Sequence, residues 1–278
     1  MRRVEDAALV VGDSTFVGNL QLPGLLHAAF VRSPLAHGQI RGIDTTEAAA
    51  APGVVGVFVA SDLSLPPHHG LMVVNSKLPR PPLAVDRVRF AGEPVAIVVA
   101  QTRAAAVDAV ELVDVDYDAL PAVVDPEAAL EPGAELQFPE LGTNLVIGSR
   151  EPDGVDPLDG AEVVVRARME NQRVAVVPME GNAIVADPTG DGEHDLVIQV
   201  STQMPHGFRD MVCSEFDLPE ERVRVIAPHV GGGFGGKAGM IAEHAATIGA
   251  ARALGRPVSW VETRSENLQA MHGRGQVG

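Results

Sequence analysis

The chain has one cysteine, Cys213, in 278 residues, so no disulfide can form within it and a reducing, cytoplasmic setting is the expectation. Aromatic residues are scarce at 4%, with a single tryptophan and a single tyrosine. The core must therefore be built from Val, Ala, Leu and Ile. Positive charge is also in short supply: 21 Lys and Arg stand against 37 Asp and Glu, a net charge of -16. No Lys/Arg cluster offers the counterion-displacing surface that a nucleic acid or an acidic membrane needs. Met1-Arg2-Arg3 is followed by Glu5 and Asp6 rather than an apolar core, so no signal peptide is read there. No uninterrupted apolar run reaches membrane-spanning length. What is present is a 46% hydrophobic share with ordinary charge density, the composition of a folded protein with one large or two ordinary domains.

Strand and helix patterns alternate along the first third. Leu25 to Val31 reads as a strand, and Asp44 with Glu47 resembles a capping box opening an alanine-rich helix that stops at Pro52-Gly53. Val54 to Val59 reads as a buried strand. After a proline-rich loop from Ser64 to Pro82, Pro94 leads into the apolar run Val95 to Ala100, and Thr102 is placed to cap a helix to about Val113. The acidic run Glu111 to Asp118 reads as a solvated face. From Asp125 to about Gly160, Pro, Gly, Glu and Asp dominate without periodicity, as in a connection between domains. Beyond it, strands are expected at Glu162 to Arg168, Ala183 to Ala186, Leu196 to Val200 and Arg222 to Ala227, with a turn at Pro188 to Gly192. Helices are expected from Pro205 to Phe216 and from Met240 to Leu254, the latter closed by Gly255 and Pro257. The class is α/β.

The most informative stretch is Val230-Gly231-Gly232-Gly233-Phe234-Gly235-Gly236-Lys237, five glycines around one phenylalanine between a strand and a helix. Glycine opens backbone angles that let successive N–H groups converge on an anion. Gly231, Gly233 and Gly236 also satisfy G-x-G-x-x-G, and Glu262 ends the next strand where a ribose-binding acid of an NAD(P) enzyme would lie. Against that alternative, Pro228 and His229 separate the strand from the first glycine, and more than half the chain precedes the motif. A purely structural glycine turn is a further reading.

The neighbours of the loop carry a resemblance. Ser201-Thr202-Gln203-Met204-Pro205-His206, Leu218 to Val225, His229 to Lys237, Leu254 to Glu262 and His272-Gly273-Arg274-Gly275-Gln276 resemble the large subunits of the molybdenum hydroxylases, the xanthine dehydrogenase, aldehyde oxidase and aerobic carbon monoxide dehydrogenase type. Asn171 to Val174, Pro178-Met179-Glu180, Leu22 to Pro34 and Pro52-Gly53-Val54 extend the likeness over nearly the whole chain. The resemblance implies an α/β (α+β) architecture: a hammerhead-like α/β domain over 1–124, a connecting segment over 125–160, and over 161–278 the N-terminal part of a molybdopterin-binding domain. It implies a molybdopterin cytosine dinucleotide carrying molybdenum, with Gln203 placing its amide beside an oxo ligand of the metal. Gly232, Gly233, Phe234, Gly235 and Gly236 would lie against the cofactor. No residue of this chain would ligate the metal, and the family's catalytic glutamate belongs to a C-terminal half that this chain lacks.

The implied activity is oxidative hydroxylation of an aldehyde, N-heterocycle or similar small substrate, or oxidation of CO. The implied partners are that C-terminal half, an iron-sulfur small subunit with a 2Fe-2S cluster and an FAD-binding medium subunit. Purine-oxidising relatives place a glutamate after Gly-Gly-Lys where this chain has Ala238, which argues against purines. Either the enzyme is split between two chains or the sequence is a truncated product, and a non-catalytic interaction subunit or fragment that kept the fold is the alternative. Among the other tempting residues, His68 and His69 read as a solvated loop rather than a metal site. His206 either contacts the cofactor or packs at a helix start, His229 either supports the loop or does not, and His244 reads as a packed or surface residue. Cys213, among Met211, Val212 and Phe216, reads as a core residue rather than a copper-binding one. Glu180 matches a family position of structural or channel-lining character.

Overall fold

In the computed structural model, which describes residues 4–63, 65–67, 75–78, 80–147, 156, 158–172 and 174–271, the apolar run Pro94 to Ala100 is buried at every position and the main sheet is assembled around it. In chain order the elements are α1 (Asp6–Val11), β1 (Leu26–Arg32), β2 (Gly38–Asp44), α2 (Thr46–Ala50), β3 (Val54–Val59), α3 (Ala60–Leu63), β4 (Arg87–Val88), β5 (Pro94–Ala100), α4 (Arg103–Val110) and β6 (Asp114–Ala119). They continue with β7 (Ala183–Asp187), β8 (Leu196–Val200), α5 (Pro205–Phe216), β9 (Val223–Ile226), α6 (Ala242–Leu254), β10 (Val258–Val261) and α7 (Arg264–Ala270). A seven-stranded mixed sheet has the order β3-β5-β1-β10-β7-β8-β9, and a smaller antiparallel one the order β4-β2-β6. The fold is mixed α/β, and one sheet draws strands from both sides of the 125–160 segment. No helix among the described residues is long and apolar enough to cross a membrane.

The local signals explain most of these elements. Thr102 Oγ1 accepts the Ala105 N–H and starts α4, Pro205 occupies the first turn of α5, and Gly255 closes α6 in the left-handed region. α6 buries nearly its whole length against the sheet. Trp260 stands edge-on to Phe30, with ring centroids 5.5 Å apart, and 6.0 Å from His244, which in turn packs on Phe208. Burying these few large rings concentrates much of the core's apolar contact in one place. Cys213 lies in the same apolar cluster, and burial pushes its thiol up.

Several expectations fail for identifiable reasons. Asp44 does not cap α2: it ends β2, and its carboxylate takes the Thr46 N–H at 2.9 Å, while Thr45 at the helix start makes no side-chain cap. Val54–Val59 is a strand but only half-buried, because β3 is the edge of the large sheet. The acidic run is exposed and also forms β6, whose Asp114, Asp116 and Asp118 face solvent while Val115 and Tyr117 face inward. The strand expected over Glu162 to Arg168 is absent, and 161–170 is exposed throughout. α7 has a capping box, Thr263 with Glu266, that the sequence reading passed over.

Arg32 joins the two regions across this sheet. Its guanidinium donates to Glu243 on α6 at 2.8 Å, to Glu266 on α7 at 3.0 Å and to the Gly92 carbonyl at 2.8 Å. Arg32 and Glu243 side chains are each only 8% exposed. Removing the cation strands a buried carboxylate, so Arg32→Met is expected to destabilise the chain by about 3–5 kcal/mol. Urea unfolding followed through Trp260 fluorescence measures it; a loss below about 1 kcal/mol would mean that Glu243 finds other partners.

Candidate cofactor-binding site

β8 and β9 are parallel neighbours, Leu196 opposite Val223 through Gln199 opposite Ile226, so both strands end on the same edge of the sheet. Chain leaving the carboxyl ends of parallel strands is where α/β sheets place ligands. Here β8 delivers Ser201-Thr202-Gln203 and β9 delivers the glycine loop. The two segments are stitched together: Gln203 N–H donates to the Lys237 carbonyl at 3.0 Å, and Thr202 Oγ1 to the same oxygen at 3.2 Å.

Beneath the loop lies a buried ion pair. The Lys237 ammonium donates to Glu180 Oε2 at 3.1 Å and to Ser201 Oγ at 2.8 Å. The same carboxylate oxygen accepts from Ser201 Oγ and from the Gly231 N–H, both at 2.7 Å. Burial pulls the Lys237 ammonium below its ordinary value, and the adjacent Glu180 carboxylate opposes that shift. Glu180 and Lys237 thus fasten the first and last residues of the glycine run. Sequence reading gave Glu180 a structural or channel-lining character and assigned Lys237 no role. The available signal was a lysine ending a run that has no other charge.

The glycines divide into two groups. At Gly231, Gly233 and Gly236 the space is taken: a methyl group would lie 2.5 Å from Glu180 Cβ, 2.5 Å from Gln203 Oε1 and against Met271, respectively. These are the three positions of G-x-G-x-x-G, and close packing by this chain's own side chains accounts for them. Gly232, at φ 94°, instead requires a left-handed backbone, which Phe234 also adopts at φ 52° with its ring largely exposed. A bulky residue held there stores strain of about 1–3 kcal/mol.

The donor set at this edge follows from the packing. Gly235 and Lys237 both donate their N–H to Gln203 Oε1, at 2.9 and 3.2 Å, and Gly236 donates to the Gly233 carbonyl at 2.8 Å. Two donors on one amide oxygen fix the orientation of the Gln203 side chain, so its NH2 group turns away from the loop. The N–H groups of Gly232, Gly233 and Phe234 have no acceptor among the described residues. Three backbone amides and one carboxamide NH2 therefore remain as neutral donors. They suit an oxo group or a phosphate-like oxygen.

Of the other candidates, His229 accepts the Thr15 N–H through Nδ1 at 3.2 Å and donates its own N–H back to the Thr15 carbonyl, which ties the loop's entry to the N-terminal region. His206 is exposed on the first turn of α5. His244 is buried, and its Nδ1 accepts the Ile241 N–H. His68, His69 and 272–276 lie outside the described residues. Among the described residues no group of three or more His, Cys, Asp or Glu side chains could hold a metal ion.

The NAD(P) alternative does not survive the geometry. β9 and β10 are separated in the sheet by β8 and β7, so they form no adjacent strand-helix-strand unit around the loop. α6 starts only at Ala242, five residues after the loop closes. Glu262 points into the protein, where Oε2 accepts from Asn182 N–H at 2.7 Å, Asn182 Nδ2 at 3.1 Å and Asn267 Nδ2 at 2.8 Å.

This sheet edge offers neutral donors to oxygen acceptors, in a chain of the cofactor-binding class. The comparisons with known proteins identify the cofactor class. Residues 11–121 match the aldehyde oxidase and xanthine dehydrogenase a/b hammerhead domain, and residues 139–277 match the molybdopterin cofactor-binding domain. The chain is 38% identical to the carbon monoxide dehydrogenase large chain of Hydrogenophaga pseudoflava, over 95% of this chain and 34% of that one. It is 40% identical to the nicotine 6-hydroxylase large subunit of Paenarthrobacter nicotinovorans, over 96% and 33%. It superposes on quinoline 2-oxidoreductase from Pseudomonas putida 86 with a TM-score of 0.86 at 37% identity, over 98% of this chain and 35% of that one. The chain belongs to the molybdenum hydroxylase family of xanthine dehydrogenases, aldehyde oxidases and carbon monoxide dehydrogenase large chains, and it spans about a third of the length of these relatives.

The buried Glu262 carries a pH signature. Burial raises its carboxyl above the ordinary value of 4.5, with the Asn182 and Asn267 hydrogen bonds opposing in part. A folded-state value above the unfolded one means that ionisation disfavours the fold. Its contribution is fully present below the unfolded value and declines as pH rises through the folded one. The stability of Glu262→Gln relative to the parent chain is therefore expected to increase as pH rises above about 4.5. Urea midpoints of both proteins across that range test it, and a pH-independent difference would refute it.

Proposed function

We propose that this chain is the part of a molybdenum subunit that holds one side of a molybdenum-bearing molybdopterin cytosine dinucleotide, and that the part of the subunit outside the third matched here must complete the site. The observation that carries this reading is the Gln203 amide, whose oxygen is held by Gly235 and Lys237 N–H so that its NH2 is available to an oxo group. The residues that would hold the cofactor are Gln203 and the loop Gly232 to Gly236, with Gly232, Gly233 and Phe234 contributing N–H groups. Gly235 and Gly236, whose amides serve the loop itself, contribute its shape. When bound, the molybdenum centre supplies the oxidation of an electron-poor carbon and accepts its electrons. Gln203 would donate to an oxygen facing it without adding charge, and the buried Glu180 and Lys237 would keep the loop in register.

The reading divides the chain into a hammerhead-like domain over 1–124, a connecting segment over 125–160 and the first part of the molybdopterin-binding domain over 161–278. Substrates in view are aldehydes, N-heterocycles or similar small molecules, or CO. Ala238 in place of a glutamate argues against purines. The general base would come from the remaining part of the subunit, since one oxygen of Glu180 already accepts from Ser201, Gly231 and Lys237 beneath the loop. An iron-sulfur small subunit with a 2Fe-2S cluster and an FAD-binding medium subunit would carry electrons away, in a cytoplasmic heteromer. The large-chain and large-subunit names of the relatives support a multi-subunit assembly.

Gln203→Glu separates cofactor binding from folding. A carboxylate still accepts the Gly235 and Lys237 amides but presents charge instead of a donor to the oxo side. The expected result in the purified natural complex is an unchanged thermal midpoint with molybdenum content reduced by at least about tenfold. Full molybdenum content in the variant would refute the role of Gln203. Stoichiometric molybdenum in residues 1–278 alone would refute the need for completion, and a natural complex free of molybdenum would favour a non-catalytic interaction subunit.

A further inference from the structure

We infer that residues 161–169 are a strand in waiting, paired in the working enzyme by the remaining part of the molybdenum subunit; this rests on the reading just given. The sequence here alternates without exception on one side: Ala161, Val163, Val165, Ala167 and Met169 occupy every odd position, while Glu162, Arg166, Arg168 and Glu170 hold all the even ones but Val164. Nine residues of period two with one apolar face are the signature of a strand half-buried in a sheet. Yet the segment pairs with no strand among the described residues.

The exposure pattern gives the orientation. Val163, Val165 and Met169 are 79%, 83% and 89% exposed, whereas Val164 on the opposite face is 44% exposed. On the charged face Arg168 donates to Glu127 of the connecting segment at 3.0 Å, in a pair that stays largely exposed. Among the described residues little covers the apolar side. A row of unpaired backbone groups beside an apolar face is the surface that strand addition uses.

Continuity with the cofactor edge selects the occupant. Further along the same segment, Val174, Val177 and Met179 are also exposed, Val176 packs close to Gly236, and the Glu180 N–H donates to the Gly231 carbonyl. The segment that carries the strip thus also reaches the loop wall, so the part of the subunit that completes the cofactor site also lies beside the strip. This chain spans about a third of its relatives' length, and the remaining two thirds is long enough to supply the pairing strand.

The test co-expresses the full chain with a probe: the portion of the Hydrogenophaga pseudoflava carbon monoxide dehydrogenase large chain that lies beyond its match to this chain. Light scattering should find a one-to-one complex, and hydrogen exchange of the 161–169 amides should slow by about 100-fold on complex formation. The double substitution Val163→Lys with Val165→Lys should leave the thermal midpoint of the chain alone unchanged, since both side chains already face solvent. It should weaken the complex by at least about 100-fold. Absence of a complex, a complex in which 161–169 exchanges as freely as before, or protection arising from a dimer of this chain would each overturn the inference. A complex that holds molybdenum while 161–169 stays unprotected overturns this inference alone. A protected but molybdenum-free complex leaves the strand pairing standing and counts against the proposed function.

Discussion

The Glu180 carboxylate organises the cofactor edge. One of its oxygens accepts from Ser201, the Gly231 N–H and the Lys237 ammonium, so it joins the end of β8, the first glycine of the loop and the residue that closes the loop. A buried ion pair adds little net stability once desolvation is counted, and the gain here is positional. With both ends of the run fastened, the loop can curl without side chains of its own, and Gln203 Oε1 meets two of its amides. The direction of the Gln203 NH2 group follows from those two contacts. Thus a charge pair beneath the loop decides where a neutral donor points above it.

That arrangement depends on a sheet that runs through both halves of the sequence. β10 lies between β1 and β7, which places a strand from the end of the chain against one from its beginning. Arg32 then reaches from β1 to α6 and α7. Apolar packing around Trp260, Phe30, His244 and Phe208 fills the same region. The hammerhead-matching region therefore supports the cofactor edge directly, through shared strands and a shared ion pair. His229, held by Thr15, adds a second tie at the loop's entry.

Where local chemistry dominates, the sequence was readable. Thr102, Pro205 and Gly255 mark helix ends through their own backbones, and the apolar run over Val95 to Ala100 admits little except a central strand. Reading failed where one motif serves two structures. Asp44 and Glu47 have capping spacing, but β2 extends through Asp44 and takes the carboxylate into a turn instead. G-x-G-x-x-G suggests a nucleotide turn, whereas at Gly231, Gly233 and Gly236 the missing methyl groups make room for Glu180, Gln203 and Met271. Spacing records that a side chain is unwelcome, and only the fold reveals what occupies the space. The pairing of Lys237 with Glu180 was illegible for a related reason, since 57 residues separate the partners and periodicity carries no information over that distance. The family resemblance supplied what local reading could not, because the order of segments around Gln203 and the loop encodes the whole arrangement.

The charge distribution of this sheet edge sets what it can contribute to binding. Lys237 is the cation built into the loop, and it is fully buried with its charge offset by Glu180, so the groups left facing outward are amides. Neutral donors place an oxo group accurately and select for acceptors, but they attract a phosphate-bearing cofactor far less than free cations would. The rest of the chain does not compensate, since its net charge is -16. In the proposed site, position would therefore be the contribution of this wall, and most of the binding free energy would come from groups outside it. A site of that kind would bind tightly only once both walls are in place, because each alone supplies part of the contacts.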